Sequence, residues 1–375
     1  MPEPYQCRFG TYSLAGPEDE RDLAALLRSA PEQGVVHTTL TRQPDFFAGA
    51  NSLGKYAVVL ARSPGGTPML LFEMRECPVY VESKPTRVVF VGLLRVAQQF
   101  RWRVGLLEHA FLAMRGFSRK LGFADHFCST IPLDNEPARR LFEAGLPRMP
   151  QYKVQGDVTV SVLAVKQGVS ELVPPDEYEI RRAGPENIPE IAGLLASVGP
   201  AWGYSPALRA GDLERLFSAG QGFEIHDMLM LRHKGYAVGC IGVWDQRCVR
   251  QLHVSGYPVD SSVGRAFYNL WAGMTSKPRL PAPGSRFELT WLPFFCLMKN
   301  HQARAGALLD AAQRDAGAKG AAFCAVGMAA QNRLRPVLGN TILNIPIRIY
   351  QVIFPGSARA GTGGSFTPQP EMALL

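Results

Sequence analysis

The order of predicted elements at the start of the chain recurs in its second half, and this repeat limits the folds that the sequence can adopt. Around Arg8–Glu20, a strand-like segment leads through a turn into a helix that begins with acidic residues. The same pattern of strand, turn and helix starts again at Tyr178. Self-similarity over this distance indicates a duplicated module, and 375 residues are enough for two domains of ordinary size.

A segment without hydrophobic periodicity separates the two predicted modules. Residues 167–177 (QGVSELVPPDE) contain two prolines and are typical of a linker. We therefore expect an N-terminal domain over residues 1–166 and a C-terminal domain over residues 178–356. Residues 357–375 end in GTGGSFTPQPEMALL, and this composition predicts a disordered tail.

Composition and charge narrow the class of protein. The chain is 46% hydrophobic and lacks a run of about 18 apolar residues, so we expect a soluble, cytoplasmic protein with no membrane partner. Seven scattered cysteines without a CxxC pair predict reduced thiols and no metal site. The net charge of +8 favours anionic ligands. The sequence has no basic run interleaved with aromatic residues, so a nucleic-acid partner is not expected. The sequence is compatible with a homodimer.

A strand, a basic turn and a helix in the first module form the first candidate site. Arg87–Val96 is apolar on both faces, which is typical of a central strand. It is followed by the turn QQFRWRVG and by a helix predicted over about Val104–Leu121. Free N–H groups at a helix start bind phosphate, and Arg101 and Arg103 would add charge-assisted contacts. A basic surface turn without any ligand explains the same residues.

A second pattern follows a strand predicted over Ala124–Ile131. Asn135 can cap the next helix, Pro137 suits its first turn and Gly145 can end it. A stable local helix accounts for much of this segment without a ligand. The order of strand, basic turn, helix, strand and Asn-x-x-Ala helix is harder to explain in that way.

This order resembles the GCN5-related N-acetyltransferase (GNAT) superfamily. In that family the turn binds the pyrophosphate of coenzyme A, the splayed central strand bonds the pantetheine arm, and the Asn-x-x-Ala helix flanks the thiol end. The resemblance implies an α/β (α+β) fold with a mixed central sheet flanked by helices, in two tandem GNAT-like modules. It also implies these cofactor-binding residues: Leu94, Arg95, Val96, Arg101, Trp102, Arg103, Val104, Gly105, Leu106, Asn135, Ala138 and Phe142.

Motifs beyond this site, such as Val79-Tyr80-Val81 and Trp244-Asp245-Gln246-Arg247, resemble a poorly characterised group of bacterial tandem GNAT proteins, and the resemblance extends to about Pro355. The chain departs from the family pattern at two places. Val104 and Leu106 stand where the phosphate turn usually carries glycines, and Phe142 stands where many members have a tyrosine general acid.

The second module lacks both signatures of the first. Its equivalent turn, Phe295–Arg304, has no glycine, and Gln331–Pro336 lacks the Asn-x-x-Ala pattern. We therefore expect a degenerate module that covers the cleft of the first.

The resemblance implies an N-acyltransferase that uses an acyl-CoA, with acetyl-CoA as the expected cosubstrate, and a small-molecule or amino-acid-like amine as the acceptor. An attacking amine must lose a proton, and a carboxylate usually accepts it. Glu76, beside the central strand, is the predicted base, although an exposed strand glutamate explains it as well; Tyr152 and Tyr80 are candidate acids. A non-catalytic acyl-CoA sensor and an interaction protein on the same scaffold are the alternatives, because fold does not decide function.

Overall fold

The structure is a computed structural model that describes residues 2–29, 34, 36–50, 53–101, 103–166, 177–275, 277–339, 341–356 and 366–375. The strands are β1 (Tyr5–Cys7), β2 (Gly10–Leu14), β3 (His37–Arg42), β4 (Tyr56–Arg62), β5 (Pro68–Val81), β6 (Lys84–Val96), β7 (Phe127–Pro132), β8 (Gln151–Ala164), β9 (Tyr178–Arg182), β10 (Met228–His233), β11 (Tyr236–Gly242), β12 (Arg250–Gly256), β13 (Leu289–Trp291), β14 (Cys296–Leu297), β15 (Phe323–Ala329) and β16 (Leu343–Ile353). The helices are α1 (Glu20–Ser29), α2 (Val104–Lys120), α3 (Glu136–Glu143), α4 (Ile188–Val198), α5 (Ala210–Phe217), α6 (Val259–Met274) and α7 (Ala305–Ala318).

A mixed sheet of ten strands forms the centre of the fold, in the order β1-β2-β4-β5-β6-β7-β16-β8-β15-β13. The six strands from β6 to β13 in this order are arranged symmetrically about the antiparallel pair of β16 and β8. On one side of this pair β7 is followed by β6, which runs parallel to it. On the other side β15 is followed by β13, also in parallel. The two sides therefore repeat one arrangement, which is the pattern expected of a duplicated module.

The two halves of the chain share this sheet. β16, from the second half, lies between β7 and β8 of the first half. β8 in turn pairs with β15 of the second half over Val158–Ala164. Sheet hydrogen bonding therefore crosses the predicted boundaries at residues 166 and 178. β8 is one continuous strand with a register shift at Gly156.

Hydrophobic periodicity sets which faces of the sheet the first two helices cover. Alternate residues of a strand point to opposite faces. The apolar face of α2 packs with Val59 and Val89, and the buried leucines of α1 pack with Val58 and Leu60 on the other face. Leu121, just beyond the end of α2, is half-buried. The apolar residues of the helix that recur every three or four positions are buried: Leu107, Ala110, Phe111, Met114 and Phe117.

Two smaller sheets complete the fold. Four antiparallel strands in the order β14-β11-β10-β9 lie between two helical layers, because α4 and α5 pack with Met228 and Met230 while α7 packs with Leu229 and Leu231. β12 pairs with β3 in a two-stranded sheet, which is a second contact between the two halves of the chain. None of the helices in the described residues has the length and apolar character needed to span a membrane.

Residues 366–375 pack against the folded chain, so the prediction of a disordered tail is wrong for them. Three glycines admit the segment, since a Cβ on Gly203 would lie 1.8 Å from the Phe366 ring, one on Gly327 2.4 Å from Met372, and one on Gly156 2.8 Å from Pro368. Composition alone does not identify such a segment as ordered, because its few apolar residues pack against glycines that are far away in sequence. The rest of the predicted tail, residues 357–365, and residues 167–176 of the predicted linker lie outside the described residues.

Hydrogen bonds fix this C-terminal segment to both halves of the chain. Its backbone exchanges bonds with Gly203, at 2.9 Å from Gly203 N to Thr367 O and 2.7 Å from Gln369 N to Gly203 O. Further along, the Gln246 amide donates to Ala373 O at 2.7 Å, and Arg75 donates to Leu374 O at 2.9 Å. The segment therefore reaches from the second module to β5 in the first.

Glu371, in this segment, is a buried carboxyl whose surroundings predict a pH dependence of the fold. Its carboxylate accepts hydrogen bonds from Phe294 N at 2.7 Å and Ala373 N at 3.3 Å. Burial raises its pKa to about 7, although the two backbone donors oppose the shift. Folding then favours the protonated acid. Its stabilisation is fully present below the unfolded pKa of about 4.3 and is lost as the pH rises through about 7.

We expect the free energy of unfolding of Glu371→Gln to depend less on pH than that of the wild type between about pH 4.5 and about pH 7.5. Urea denaturation at a series of pH values measures this difference. Glu214→Gln, at an exposed position on α5, is the control and should follow the wild-type curve. Parallel curves for Glu371→Gln and the wild type would contradict the assignment.

Candidate functional site

β6 and β7 run side by side for three residues and then separate. Their parallel pairing extends from Val89 and Phe127 to Val91 and Ser129. Beyond Val91, β6 continues to Val96 and pairs only with β5, on its other edge. In the described part of the chain, no strand pairs with the edge of residues 92–96 that faces β7. We call this opening the strand gap.

A bulge in β6 accompanies the strand gap. Gly92 is opposite Glu73 and Arg95 is opposite Leu71, so β6 carries one more residue than β5 over this interval. Leu93 has a φ of +53°, in the left-handed region that leucine rarely adopts. A bulge bends a strand and redirects its side chains and peptide groups, and here it does so where β6 leaves β7.

The start of α2 lies directly beyond the strand gap. A 3-10 turn, Gln98–Phe100, leads from β6 to the helix, whose N-cap residue Arg103 makes no side-chain capping bond. The first N–H groups of a helix lack intrahelical acceptors, and they carry the positive end of the helix dipole. Leu106 N bonds Arg103 O at 2.9 Å, whereas the N–H groups of Val104 and Gly105 have no acceptor within the described residues. Trp102, predicted in this turn, lies outside the described residues.

The predicted cations lie around this helix start. The side chains of Arg101 and Arg103 are exposed, and Arg101 Nε donates to Val96 O at 3.4 Å. The Arg103 guanidinium lies 5.2 Å from the centre of the Phe100 ring. Arg95 is half-buried and donates to Leu94 O at 3.2 Å. The carbonyl groups of Leu94 and Val96 therefore have arginine donors beside them, and the turn carries positive charge.

Gly105 lies in close contact with a distant part of the chain. A Cβ at this position would lie 2.7 Å from the Phe9 ring, which comes from the turn between β1 and β2. The neighbouring Leu106 is fully buried, and its carbonyl accepts a hydrogen bond from Tyr12 at 2.8 Å. Val104 is 46% exposed. Among Val104, Gly105 and Leu106, only Val104 has a side chain that reaches solvent.

The second signature lies at the other side of the strand gap. Asn135 Oδ1 accepts from Ala138 N at 3.3 Å, so the predicted cap of α3 is confirmed. Phe142 is buried and stacks on Tyr152, with ring centres 4.6 Å apart and planes inclined by 15°. The stack brings the predicted acid Tyr152 against Phe142.

Tyr152 is connected to the point where the strands separate. Burial raises the pKa of Tyr152 far above its ordinary value, and a hydrogen bond with Ser129 offsets part of the rise. Ser129 Oγ donates to Val91 O at 3.1 Å, at the last paired position of β6 and β7. Tyr152 therefore keeps its proton at neutral pH. The Ser129 hydroxyl connects it to Val91, where the strand gap begins.

Glu76, the predicted base, lies elsewhere on the sheet. It is opposite Val89, five residues before Leu94 on β6. Its buried carboxylate pairs with Arg87 at 2.9 Å and accepts from Ala124 N at 2.9 Å. Glu76 is thus not the exposed strand glutamate of the simpler interpretation, and both of its oxygens are engaged. Its role as a base stays a prediction.

A buried ionic cluster on the opposite face of the sheet was not found from the sequence. Glu73, opposite Gly92 in the bulge, accepts from Arg42 and from Tyr56, each at 2.8 Å, and pairs with Arg75 at 3.4 Å. The one signal in the sequence is the spacing of Glu73 and Arg75, which puts two charges on one face of an apolar strand. Arg42 and Tyr56 are too distant in sequence for any local pattern.

The electrostatics of this cluster fix its charges. Burial would raise the pKa of Glu73, but the guanidinium groups of Arg42 and Arg75 outweigh it and hold this pKa well below its usual range. Burial, with the negative charge of Glu73, raises the pKa of Tyr56 to about 12. No proton moves in such a cluster near neutral pH. The cluster instead anchors residues beside the bulge, including the C-terminal segment through the bond from Arg75 to Leu374 O.

Glu73→Gln should lower the free energy of unfolding by about 3–5 kcal/mol, because it leaves buried guanidinium groups without their counter-ion. Chemical denaturation of the two proteins measures the loss. Glu136→Gln removes one partner of the exposed pair with Arg140 and should cost less than about 1 kcal/mol. Equal stabilities of Glu73→Gln and this control would show that the cluster does not stabilise the fold.

The corresponding region of the second module is arranged differently. A 3-10 segment, Lys299–Arg304, precedes α7, and the Arg304 guanidinium lies over the Tyr178 ring at 5.3 Å. A cavity of about 860 Å³ lies beside α7 and the end of β8. Two of its polar side chains are bonded within the protein, since Lys166 pairs with Asp310 and Gln313 donates to Ala164 O. We assign this cavity no ligand.

No family model and no curated protein matches this sequence. Solved structures do match its fold. A GCN5-related N-acetyltransferase from Sphaerobacter thermophilus aligns over 92% of this chain and 96% of its own, with a TM-score of 0.54 and 13% identity. The N-myristoyltransferase of Saccharomyces cerevisiae, solved with myristoyl-CoA, aligns over 94% of this chain and 84% of its own, with a TM-score of 0.60 and 11% identity.

A third structure is the GCN5-related glucosamine N-acetyltransferase region of a fungal multi-domain GH3 β-N-acetylglucosaminidase. It aligns over 90% of this chain and 38% of its own, with a TM-score of 0.57 and 12% identity. At such low identity these likenesses establish the fold. The predicted GNAT fold, a mixed sheet flanked by helices, is confirmed.

Proposed function

We propose that the chain is a member of the GNAT superfamily and an N-acyltransferase that uses an acyl-CoA, with acetyl-CoA as the first candidate. The acceptor is the amine of a small-molecule or amino-acid-like compound. The observation that carries the proposal is the separation of β6 from β7 directly before the uncapped start of α2. An opening between parallel strands beside a helix N-terminus offers backbone bonding groups and a site for phosphate.

The neighbours in fold support an acyl-CoA as the donor. One of them was solved with bound myristoyl-CoA, and two are named as N-acetyltransferases. In this proposal residues 1–166 form the acyl-CoA-binding module, residues 167–177 link it to the degenerate module of residues 178–356, and the bacterial, cytoplasmic setting and the homodimer of the sequence analysis are kept as further proposals.

The donor lies along β6 in this proposal. The backbone of Leu94, Arg95 and Val96 bonds the amide groups of the pantetheine arm, as an added strand would. The diphosphate lies at the start of α2, against the N–H groups of Val104 and Gly105 and the turn that contains Trp102 and Leu106. The exposed Arg101 and Arg103 supply positive charge there. Asn135, Ala138 and Phe142 of the α3 region flank the thiol end.

Transfer then proceeds by direct attack. The nitrogen of a neutral amine bonds to the thioester carbonyl carbon, the carbon–sulfur bond breaks, and the electron pair leaves with the sulfur of coenzyme A. Tyr152 donates its proton to this thiolate and regains one from solvent, and its raised pKa keeps it protonated beforehand. The surplus proton of the amine leaves through Glu76 or through water. Backbone N–H groups of the strand gap stabilise the oxyanion.

A non-catalytic acyl-CoA sensor is the second candidate, favoured by Phe142 in place of the family tyrosine and by the engaged carboxylate of Glu76. Calorimetry with acetyl-CoA and longer acyl-CoAs, followed by a free-thiol release assay over a library of amines, separates the two. Thiol release that depends on an amine supports the enzyme. Binding without release for any amine supports the sensor, and no binding of any CoA would refute both.

Arg101→Glu should weaken acyl-CoA binding by roughly tenfold to a hundredfold, because it replaces a charge-assisted donor with a like charge beside phosphate. Calorimetry measures the dissociation constant. Arg181→Glu is the matched control, since Arg181 is also exposed but lies on β9, at the edge of the four-stranded sheet. Unchanged affinity in Arg101→Glu, or an equal loss in the control, would contradict the proposed phosphate turn.

A further inference from the structure

α6 carries large apolar side chains on its solvent face. Five of the ten large hydrophobic residues that are exposed in the described chain lie on this one helix. Phe267, Leu270 and Met274 are 71%, 66% and 72% exposed. With Val263 and Trp271, they recur every three or four residues and form a stripe along one side of the helix. We call these five residues the apolar stripe.

Polar side chains of α6 point the other way, into the protein. Asn269 donates to Leu280 O at 3.1 Å and accepts from Leu280 N at 2.7 Å. Tyr268 donates to Pro278 O at 3.1 Å, and Arg265 donates to Pro281 O at 3.1 Å. Ala272 is fully buried. The helix is therefore fixed to the protein through polar bonds, and its apolar side faces outward, which is the reverse of an ordinary surface helix.

The described charges at the C-terminal end of the apolar stripe are positive. Among the described side chains of residues 262–279, the charged ones are Arg265, Lys277 and Arg279. Lys277 Nζ lies 4.7 Å from the centre of the Trp271 ring. Arg279 is exposed, and its guanidinium lies near Gly273, where a Cβ would be 3.0 Å from Nη2. Two cations thus lie at the end of the helix, one of them on an aromatic ring of the apolar stripe.

We propose that α6 lies in the interface of an anionic lipid surface. An apolar face of Phe, Leu, Trp, Met and Val bordered by Lys and Arg is the composition of helices that lie in the plane of a membrane. Sixteen residues give a helix about 24 Å long, which lies flat at the headgroup boundary without crossing the bilayer. The positive charges complement anionic headgroups, and the net charge of +8 acts in the same direction.

A second copy of this chain fits the same face less well. Two apolar stripes could pack together, but each would bring the same cations, and no anionic side chain among the described residues 262–279 would meet them. The proposal departs from the expectation of no membrane partner, which rested on the lack of a spanning segment. It does not depend on the proposed acyltransferase function.

Sedimentation of the full chain with vesicles tests the proposal. We expect binding to phosphatidylcholine vesicles that contain roughly one-quarter phosphatidylglycerol, weaker binding to phosphatidylcholine alone, and a decrease with added salt. Leu270→Glu should reduce binding at least about tenfold, because a charge would enter the apolar boundary. Lys277→Glu combined with Arg279→Glu should reduce it by a similar factor, on the anionic vesicles only.

The controls separate lipid binding from its alternatives. Tyr236→Glu changes an equally exposed apolar residue on the β10–β11 hairpin and should bind vesicles as the wild type does. Circular dichroism checks that each variant is folded. Failure of the wild type to sediment with either vesicle would overturn the proposal. So would a dimer in sedimentation velocity that Leu270→Glu dissociates while vesicle binding is unchanged.

Discussion

The pairing of β16 with β7 and β8 is the constraint on which the rest of the structure depends. A strand has two edges, and every buried N–H and C=O along them needs a partner. β16 satisfies the inner edges of β7 and β8 over Ile347–Val352 and Leu343–Ile353. Because β16 comes from the second half of the chain, neither half can complete its part of the sheet alone. The two modules are therefore one folding unit at the level of hydrogen bonding.

This pairing also allows the strand gap to form without detaching β7 from the sheet. β7 is held along six residues by β16, so it needs only three residues of contact with β6 to stay in the sheet. The edge of β6 beyond Val91 is then free of a strand partner within the described residues. On one face the gap is bordered by Ser129 and the Tyr152–Phe142 stack. On the other face the Glu73 cluster fixes the bulge and the C-terminal segment.

Local patterns in the sequence predicted the elements of the site. The helix cap at Asn135, the apolar face of α2 and the central strand were recognisable because each depends on residues a few positions apart. The insertion of β16 between β7 and β8 was not recognisable, because a local pattern does not encode which distant strand completes a sheet. Gly105 was identified with a phosphate turn, but its contact with Phe9 involves a residue far away in sequence.

The same reasoning explains the misses at the C-terminal end and in the buried cluster. Glycine, proline and few apolar residues near the end of the chain are typical of disorder, yet Phe366 and Met372 fit against Gly203 and Gly327. Arg42 and Glu73 meet only because β3 and β5 are brought together by the fold. The roles of Glu76 and Tyr152 in catalysis stay predictions, because both depend on where an acceptor binds.

The central claim is that an acyl-CoA binds in the strand gap and at the start of α2. Hydrogen–deuterium exchange with and without acetyl-CoA tests this most directly, since a bound donor would shield backbone amides there. The account predicts that acetyl-CoA slows exchange in peptides that cover Leu94–Val96 and Val104–Leu106. It predicts no change in exchange in peptides that cover Lys299–Arg304 of the second module. Protection confined to the second module, or no protection at a saturating concentration, would contradict it.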